Sequence, residues 1–293
     1  MAQITAMRSS PLVKTRRFHL WHKLQQWHWL NYLIIGLGAL TMLFPFLWMI
    51  ATSFKSRGEI MIFPPTLLPK HFTFANYTNA IERLDMTRLY WNTGYVSILK
   101  TLIMVYTAAL LGYIFGKFRF WAQETIFYFM LLTMIIPFEV YVIPLYQMMV
   151  TAHIGDTHLA LIVPHMFSAY AIFLFRQFMF TIPNELLDAA HIDSAGEWYI
   201  FHRIILPLCR PVLATTISFY FMWNWNDFLW PLIVITSSEK AMLPVALSSF
   251  VTQHGTDYGL VMAGASLAVI PVLVIFIFLQ RYVVQGVALS GLK

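Results

Sequence analysis

The sequence predicts an all-α membrane protein with six transmembrane helices. Of its 293 residues, 59% are hydrophobic and only 11% are charged, whereas a soluble domain carries about 25% charged residues. The apolar residues form blocks long enough to cross a bilayer, which takes about 20 residues per helix. Such blocks are expected to be helical, because in lipid a helix satisfies its own backbone hydrogen bonds.

The apolar blocks define the spans and the loops between them. The predicted spans are residues 30–53, 92–116, 125–149, 158–180, 212–235 and 259–283. A long external loop, 54–91, follows the first span, and its proline-rich stretch 63–69 is expected to be structured but not helical. Residues 151–157 predict a tight turn between the third and fourth spans. Residues 30–283 are thus predicted to form a single transmembrane domain.

Lysine and arginine residues indicate the orientation, because the cytoplasmic loops of membrane proteins carry an excess of both. With the N-terminus in the cytoplasm, the two short outer loops contain a single basic residue, Lys240. The long loop 54–91 holds several, but long loops constrain orientation weakly. Both termini are therefore predicted to be cytoplasmic, with residues 284–293 forming a cytoplasmic tail.

Before the first span, residues 1–29 are predicted to form a cytoplasmic segment with an amphipathic helix on the inner leaflet. Leu20, Trp21, Leu24 and Trp27 recur at helical spacing between basic and polar residues, a pattern typical of a helix in the membrane interface. The segment lacks the short apolar core of a cleavable signal, so the first span is expected to remain as an anchor.

Composition excludes several classes of function. Cys209 is the only cysteine, so a disulfide framework and a Cys-rich metal site are both excluded. The formal net charge is +6. Its basic residues follow the pattern of cytoplasmic loops described above, so nucleic acid is not an expected partner. No metal site and no catalytic residues are predicted, and membrane lipid is the expected surrounding of the chain.

The cytoplasmic loop 181–211, between the fourth and fifth spans, is predicted to contain two short helices. Pro183 suits the first position of a helix, and the residues after it are strong helix formers. Ser194 and Glu197 have the S-x-x-E spacing of a capping box, which predicts the start of the second helix. Pro207 is expected to end it. A DNA-reading helix-turn-helix is disfavoured, because the loop is tethered between two spans and its second helix carries few basic residues.

This loop resembles the coupling loop of ABC importer permeases. The family pattern is Glu-Ala-Ala, three residues, Gly, nine residues, then Ile-x-Leu-Pro. The chain has Asp188-Ala189-Ala190, then Ser194, then Ile204-Ile205-Leu206-Pro207, with every spacing kept. Asp188 replaces the Glu of the pattern, and Ser194 replaces its Gly.

The resemblance extends over nearly the whole chain and is closest to the maltose-type carbohydrate permeases with six spans. No single short motif is decisive, but their order and spacing together are specific. The motifs are Thr52-Ser-Phe-Lys55, Asn76-Tyr77, Lys117-Phe-Arg-Phe120, Trp225-Asn-Asp-Phe-Leu-Trp-Pro231 and Gln280-Arg-Tyr-Val-Val-Gln-Gly286.

The resemblance implies a bacterial-type inner-membrane importer. Two permeases form one pore, two cytoplasmic ATPases drive it, and an extracytoplasmic binding protein delivers the sugar. The chain lacks the phosphate-cradling motif G-x-x-x-x-G-K-[ST]. It is therefore expected to be a transport subunit and not an enzyme, to bind no cofactor, and to leave ATP and Mg²⁺ to the partner ATPase. The residues expected to couple to that ATPase are Glu185, Leu186, Asp188, Ala189, Ala190, Ser194, Gly196, Ile204, Leu206 and Pro207.

Three charged residues fall inside predicted spans, where each costs roughly 2.5–3.5 kcal/mol. They are Lys100, Glu139 and Asp227. Their similar depth permits pairing between them. The alternative is that Lys100 extends outward to the membrane surface while the two carboxylates cap kinks beside Pro137 and Pro231, and for Lys100 this alternative is favoured.

A candidate substrate path involves the fifth span. In a continuous helix Trp223, Asp227 and Trp230 would lie on one face, with Asn224 beside it. Sugars bind to aromatic faces and to amide and carboxylate groups, so these residues, together with Glu139, are candidates for a polyol path. The alternative is structural, since tryptophan anchors membrane boundaries and asparagine joins helices.

Two other functions compete with sugar import. The first is a permease of the same family for glycerol-3-phosphate or a related polyol. An anion path would need unpaired cations in the spans, and only Lys100 qualifies, so sugars are favoured. The second is a membrane enzyme, which would use a polar cluster near the third and fourth spans. No recognised spacing joins its candidate residues, which are His153, Asp156, His158 and His165.

Overall fold

The computed structural model describes residues 28–252 and 255–290, and the described chain is almost entirely helical. Most of the predicted amphipathic segment, residues 1–27, lies outside this range. The α-helices in chain order are α1 His28–Ser53, α2 Arg57–Ile60, α3 Ala75–Arg83, α4 Met86–Lys117, α5 Gln123–Leu132, α6 Phe138–Thr151, α7 His158–Ile162, α8 Ala169–Met179, α9 Glu185–Ile192, α10 Glu197–Ile200, α11 Leu206–Leu208, α12 Arg210–Trp225, α13 Leu229–Val234, α14 Leu243–Ser248 and α15 Tyr258–Ser290.

Short irregular elements connect these helices. Three-residue 3₁₀ turns lie at Thr133–Ile135, Val163–His165 and Ser238–Lys240. A π-helix spans Phe201–Ile205. A two-residue antiparallel ladder, β1 Val251–Thr252 with β2 Gly255–Thr256, pairs Val251 with Thr256 and Thr252 with Gly255.

Three helices in the described chain are long and apolar enough to cross a membrane unbroken, and they lie within α1, α4 and α15. The other candidate spans are pairs of helices bent at a short break. With each bent pair counted as one span, up to six spans are present by length and composition.

The third predicted span, 125–149, is not a straight helix. α5 with its 3₁₀ turn and α6 meet at an angle of 103°. Ile136 and Pro137 between them have extended backbone conformations, and a proline cannot donate the next helical hydrogen bond. The continuous helix expected here is therefore wrong, and the segment is a broken or re-entrant pair.

The fourth and fifth predicted spans are also interrupted. The two halves of the fourth are bent by 43°, and Ser168 restarts α8 by accepting a hydrogen bond from the Ala171 amide at 3.3 Å. The predicted fifth span, 212–235, is divided into α12 and α13 by residues 226–228.

α4 begins at Met86, six residues before the predicted start of the second span at residue 92. Asp85 caps α4 by accepting a hydrogen bond from the Arg88 amide at 3.2 Å. The proline-rich stretch 63–69 contains no helix, as expected. At the other end of the chain, α15 continues to Ser290, so residues 284–290 of the predicted tail extend the last helix.

The core forms where α4 packs against α8. A Cβ atom added at Gly112 would lie 2.4 Å from the Phe175 Cβ, and one added at Gly116 would lie 2.6 Å from the Met179 Cβ. The two backbones therefore touch, as small residues spaced four apart allow between membrane helices. α1 packs against α15 and leaves most of its side chains exposed.

Candidate functional site

The loop between α8 and α12 is attached to the core by its apolar side chains. On α9, Leu187 and Ala190 are buried. They belong to one cluster with Phe201 of the π-helix and with Phe175 and Met179 of α8. The loop is therefore built into the helical core, and a displacement of its helices would be transmitted to α4 and α8.

The opposite face of α9 is open and carries acidic and apolar side chains. Glu185, Leu186, Asp188 and Ala189 are exposed, whereas Ala190 is only 8% exposed. The expectation that Ala190 offers surface to a partner is therefore wrong for this arrangement, because its methyl group faces the chain's own core.

Three further residues of the loop are exposed and were missed by sequence reasoning. Ile192 is 84% exposed, and Trp198 and Tyr199 are also exposed. Large apolar side chains grouped on an open surface indicate an interaction site. The signal was present in the sequence, since all three lie in a loop expected to leave the membrane. We call this exposed set, with Glu185, Leu186, Asp188 and Ala189, the loop face.

Ser194 ends α9 and does not cap the next helix. Its φ of 57° is left-handed. Its amide donates to the His191 carbonyl at 2.9 Å, and the Ala195 amide donates to the Ala190 carbonyl at 3.0 Å. These bonds are the Schellman arrangement, in which glycine usually occupies the left-handed position. The glycine of the family pattern thus has a physical reason at this position, and serine is strained there.

The predicted capping box is wrong. Gly196 is the N-cap of α10, and no side chain caps it. Glu197 instead accepts a hydrogen bond from the Tyr113 hydroxyl at 2.8 Å and lies 2.9 Å from His191 Nε2. Glu197 therefore connects the loop to α4.

Replacing Ser194 by glycine is expected to stabilise the protein by about 0.5–1 kcal/mol. The left-handed conformation costs a non-glycine residue about 1–2 kcal/mol, and the added freedom of glycine in the unfolded chain offsets part of this gain. Thermal unfolding of the purified protein measures the difference. Ser56→Gly is the matched control, because Ser56 has a φ of −70° and should gain nothing. Equal shifts of the unfolding temperature in both variants would contradict the inference that Ser194 is strained.

The second helix ends at Leu208, one residue after Pro207, which had been predicted to end it. Helical structure continues through Leu208, and Pro207 follows the π-helix Phe201–Ile205. The π-helix accommodates the missing N–H of the proline. The chain then bends by 77° between Leu208 and Arg210. Ile204 and Leu206 are half-buried against the core.

A polar cluster lies where the broken spans meet α4. Lys100 is 3% exposed, and its Nζ lies 2.8 Å from Asp227 Oδ2. The Asn224 amide donates to the Thr101 hydroxyl at 2.9 Å, and the Trp230 indole donates to the Ala160 carbonyl at 3.0 Å. The favoured expectation for Lys100, that it extends outward, is wrong; the pairing alternative is correct.

The residues of the candidate substrate path are not on one face. The break at residues 226–228 separates Trp223, which is 77% exposed, from Trp230, which is buried. Asn224 is buried and joins α12 to α4, as its structural alternative predicted. Glu139 is exposed in the first turn of α6. Trp223 and Glu139 are the members that remain accessible in the single chain.

Two of the residues considered for an enzyme, Asp156 and His158, make structural contacts. Asp156 accepts hydrogen bonds from the Ser237 hydroxyl and from the Ser237 and Thr236 amides. These bonds lower the pKa of its carboxyl group, the Ser237 hydroxyl contributing most. His158 contacts the Lys240 carbonyl at 2.9 Å. Within residues 28–252 and 255–290, no group of three metal-ligating side chains occurs.

The fold and the site define an integral membrane subunit in which the loop 181–211 is built into the helical core and keeps one face open. Residues 108–289 match the family described as binding-protein-dependent transport system inner membrane component. The chain belongs to this family. It is thus a permease component of the inner membrane and a transport subunit.

Similar proteins span nearly the full chain. The arabinooligosaccharides transport system permease protein AraQ of Halalkalibacterium halodurans is 33% identical over 271 residues, covering 90% of this chain and 96% of that protein. The lactose transport system permease protein LacG of Rhizobium radiobacter is 34% identical over 256 residues, covering 87% and 93%. The sn-glycerol-3-phosphate transport system permease protein UgpE of Agrobacterium fabrum is 33% identical over 264 residues, covering 87% and 94%.

The fold is shared with a solved structure. It is the crystal structure of a bacterial ABC transporter involved in the import of the acidic polysaccharide alginate. The superposition has a TM-score of 0.75 and covers 95% of this chain and 99% of that chain at 22% sequence identity. At this identity the similarity establishes the arrangement of the helices.

Proposed function

We propose that the chain forms half of the translocation pore of an ATP-driven importer for a sugar or oligosaccharide. It has six spans with both termini in the cytoplasm, and residues 284–293 reach toward the ATPases. Its partners are a second permease subunit, two ATPase subunits and an extracytoplasmic solute-binding protein. The relatives named for arabinooligosaccharide and lactose transport support this assignment.

The observation that carries this proposal is the two-sided construction of the cytoplasmic loop. One face packs into the core with Phe175 and Met179, and the loop face presents carboxylates beside apolar side chains. A partner cleft with a basic group would bury the apolar residues and pair with Asp188, which gives orientation more than affinity. ATP and Mg²⁺ bind to that partner, and its closure moves the loop with the spans.

The buried ion pair favours a neutral substrate. Lys100 was the cation that an anion path could have used, and its charge is neutralised by Asp227. The other buried cation on a described helix of the core, Arg176, pairs with Glu124. Sugars are therefore favoured over anions. Glycerol-3-phosphate or a related polyol remains the second candidate, because a relative named for its transport is 33% identical.

The test is substrate-stimulated ATP hydrolysis by the reconstituted transporter. The chain is purified with the subunits encoded beside it, and neutral oligosaccharides are compared with sn-glycerol-3-phosphate in the presence of the binding protein. Stimulation by a neutral sugar and not by the phosphate ester is expected. Stimulation by the phosphate ester alone would overturn the sugar assignment.

Topology can be tested independently. A reporter fused after Lys293 is expected to be cytoplasmic, and one inserted at Thr256 is expected to be external, because α15 lies between them and spans the membrane. Alkaline phosphatase and green fluorescent protein fusions measure the two sides. Finding both positions on the same side would refute the six-span arrangement.

A further inference from the structure

A polar cavity of about 890 Å³ lies where α4 and α8 end. The turn after α4 and the segment that leads into α9 line it, and three of its lining residues are cations: Lys117, Arg119 and Arg176. Glu124 is the carboxylate among them. Three positive charges and one negative charge give the cavity a net charge of +2.

Two of the cations are held in place by the chain. Arg176 is nine-tenths buried, pairs with Glu124, and donates from its Nε to the Phe115 carbonyl at 3.0 Å. Lys117 donates from its Nζ to the Asn184 side-chain oxygen at 2.8 Å. Both positions are therefore fixed before any ligand arrives, which lowers the entropic cost of binding.

The third cation is available to a ligand. Arg119 is exposed, and it forms no ion pair within the part of the chain that the structure describes. Its guanidinium presents planar donors suited to the oxygens of a phosphate group. An anion in the cavity would therefore meet the free charge of Arg119 and the fixed charge of Lys117, because Glu124 neutralises Arg176.

Aromatic residues place the cavity at the boundary of the bilayer. Trp121 is 92% exposed in the same turn, and Phe180 is exposed at the end of α8. Exposed tryptophan at the end of a span is typical of the membrane interface. In the proposed orientation this boundary is the inner leaflet, where anionic lipids attract basic residues.

We propose that this cavity binds the phosphate headgroup of an anionic phospholipid of the inner leaflet. Arg119 and Lys117 contact the phosphate, the Arg176–Glu124 pair forms part of the cavity wall, and the acyl chains lie along Phe180. Because Lys117 also contacts Asn184, the residue before α9, the bound lipid connects the end of α4 to the coupling loop. The assignment rests on the proposed orientation.

The test is the retention of phosphatidylglycerol by the purified transporter, measured by native mass spectrometry after transfer from mixed phosphatidylglycerol and phosphatidylcholine nanodiscs. The intact complex is compared with its Arg119→Gln and Arg119→Lys variants. We expect retention about fivefold lower for Arg119→Gln, the factor that corresponds to roughly 1 kcal/mol per basic residue near a membrane surface, and substantial recovery for Arg119→Lys.

The control is Arg88→Gln, which removes an exposed arginine at the opposite end of α4 and should leave retention unchanged. Equal loss in this control would mean diffuse attraction and would overturn the proposal. Displacement of the lipid by inorganic phosphate or sn-glycerol-3-phosphate would indicate a site for a soluble anion instead. Retention only after the ATPase subunits are removed would assign the cavity to the ATPase contact. Both outcomes also contradict a lipid site, and neither bears on whether the chain imports sugar.

Discussion

A tryptophan at Ala189 is expected to lower substrate-stimulated ATP hydrolysis at least tenfold while the chain still inserts into the membrane. Ala189 is exposed at the centre of the loop face, and a large side chain there would prevent close approach of a partner cleft. A tenfold effect corresponds to about 1.4 kcal/mol, which lies within the roughly 1–3 kcal/mol that an oversized side chain costs in a packed contact. Hydrolysis and co-elution of the ATPase with the permease are the measurements.

The neighbouring position is not suited to the same experiment. Ala190 is buried in the core of the chain, so tryptophan there would disturb folding and coupling together. Asp188→Lys should act in the same direction as Ala189→Trp by charge reversal. Ala75→Trp and Glu82→Lys are the matched controls, because both residues are exposed on α3, which lies outside the loop 181–211. If Ala189→Trp showed wild-type hydrolysis and co-elution, the loop face would not be the surface that contacts the ATPase.

Breaking the buried pair between α4 and the end of α12 is expected to destabilise the protein by about 3–5 kcal/mol, because one partner is left as an uncompensated buried charge. Lys100→Met and Asp227→Asn should each show this loss in the free energy of unfolding. The double variant Lys100→Met/Asp227→Leu should recover most of it, since neither charge remains.

An exposed pair provides the comparison. Arg88 and Asp85 form an ion pair at 2.9 Å with both side chains about half exposed, and such pairs contribute about 0–1 kcal/mol. Arg88→Met should therefore change stability by less than about 1 kcal/mol. If the single Lys100 and Asp227 variants were no more destabilising than Arg88→Met, the pair would not be a determinant of the fold.

The apolar segments could be located from the sequence because hydropathy measures them directly. The predicted first span, 30–53, differs by two residues from α1, and the loop 181–211 was found between the expected spans. The breaks could not be located in this way. Proline is an insufficient signal, since Pro45, Pro144 and Pro271 lie inside unbroken helices whereas Pro137 lies at a bend of 103°.

The candidate site was predicted in its position but not in its orientation. The spacing of Asp188, Ala189 and Ala190 identified the segment, yet only the packing of α9 on α8 decides that Ala190 faces inward and Ala189 outward. The same holds for Asp227. Its predicted depth within the membrane allowed a contact with Lys100, but the break after Trp225 determines where its side chain points. Such features depend on tertiary contacts that no local pattern records.

The broken spans also have a consequence for how the chain enters the membrane during synthesis. α5 and α6 have 10 and 14 residues, and α7 and α8 have 5 and 11, each below the roughly 17 residues that cross a bilayer. A fragment this short cannot leave the translocon for lipid alone, because its terminal backbone groups would be unsatisfied. α4, with 32 residues, can leave first and offer its surface to the later segments. Integration is therefore expected to proceed in stages: in a nascent chain truncated after Leu132, α4 should be protected by the bilayer while α5 is still accessible to a protease in the aqueous phase.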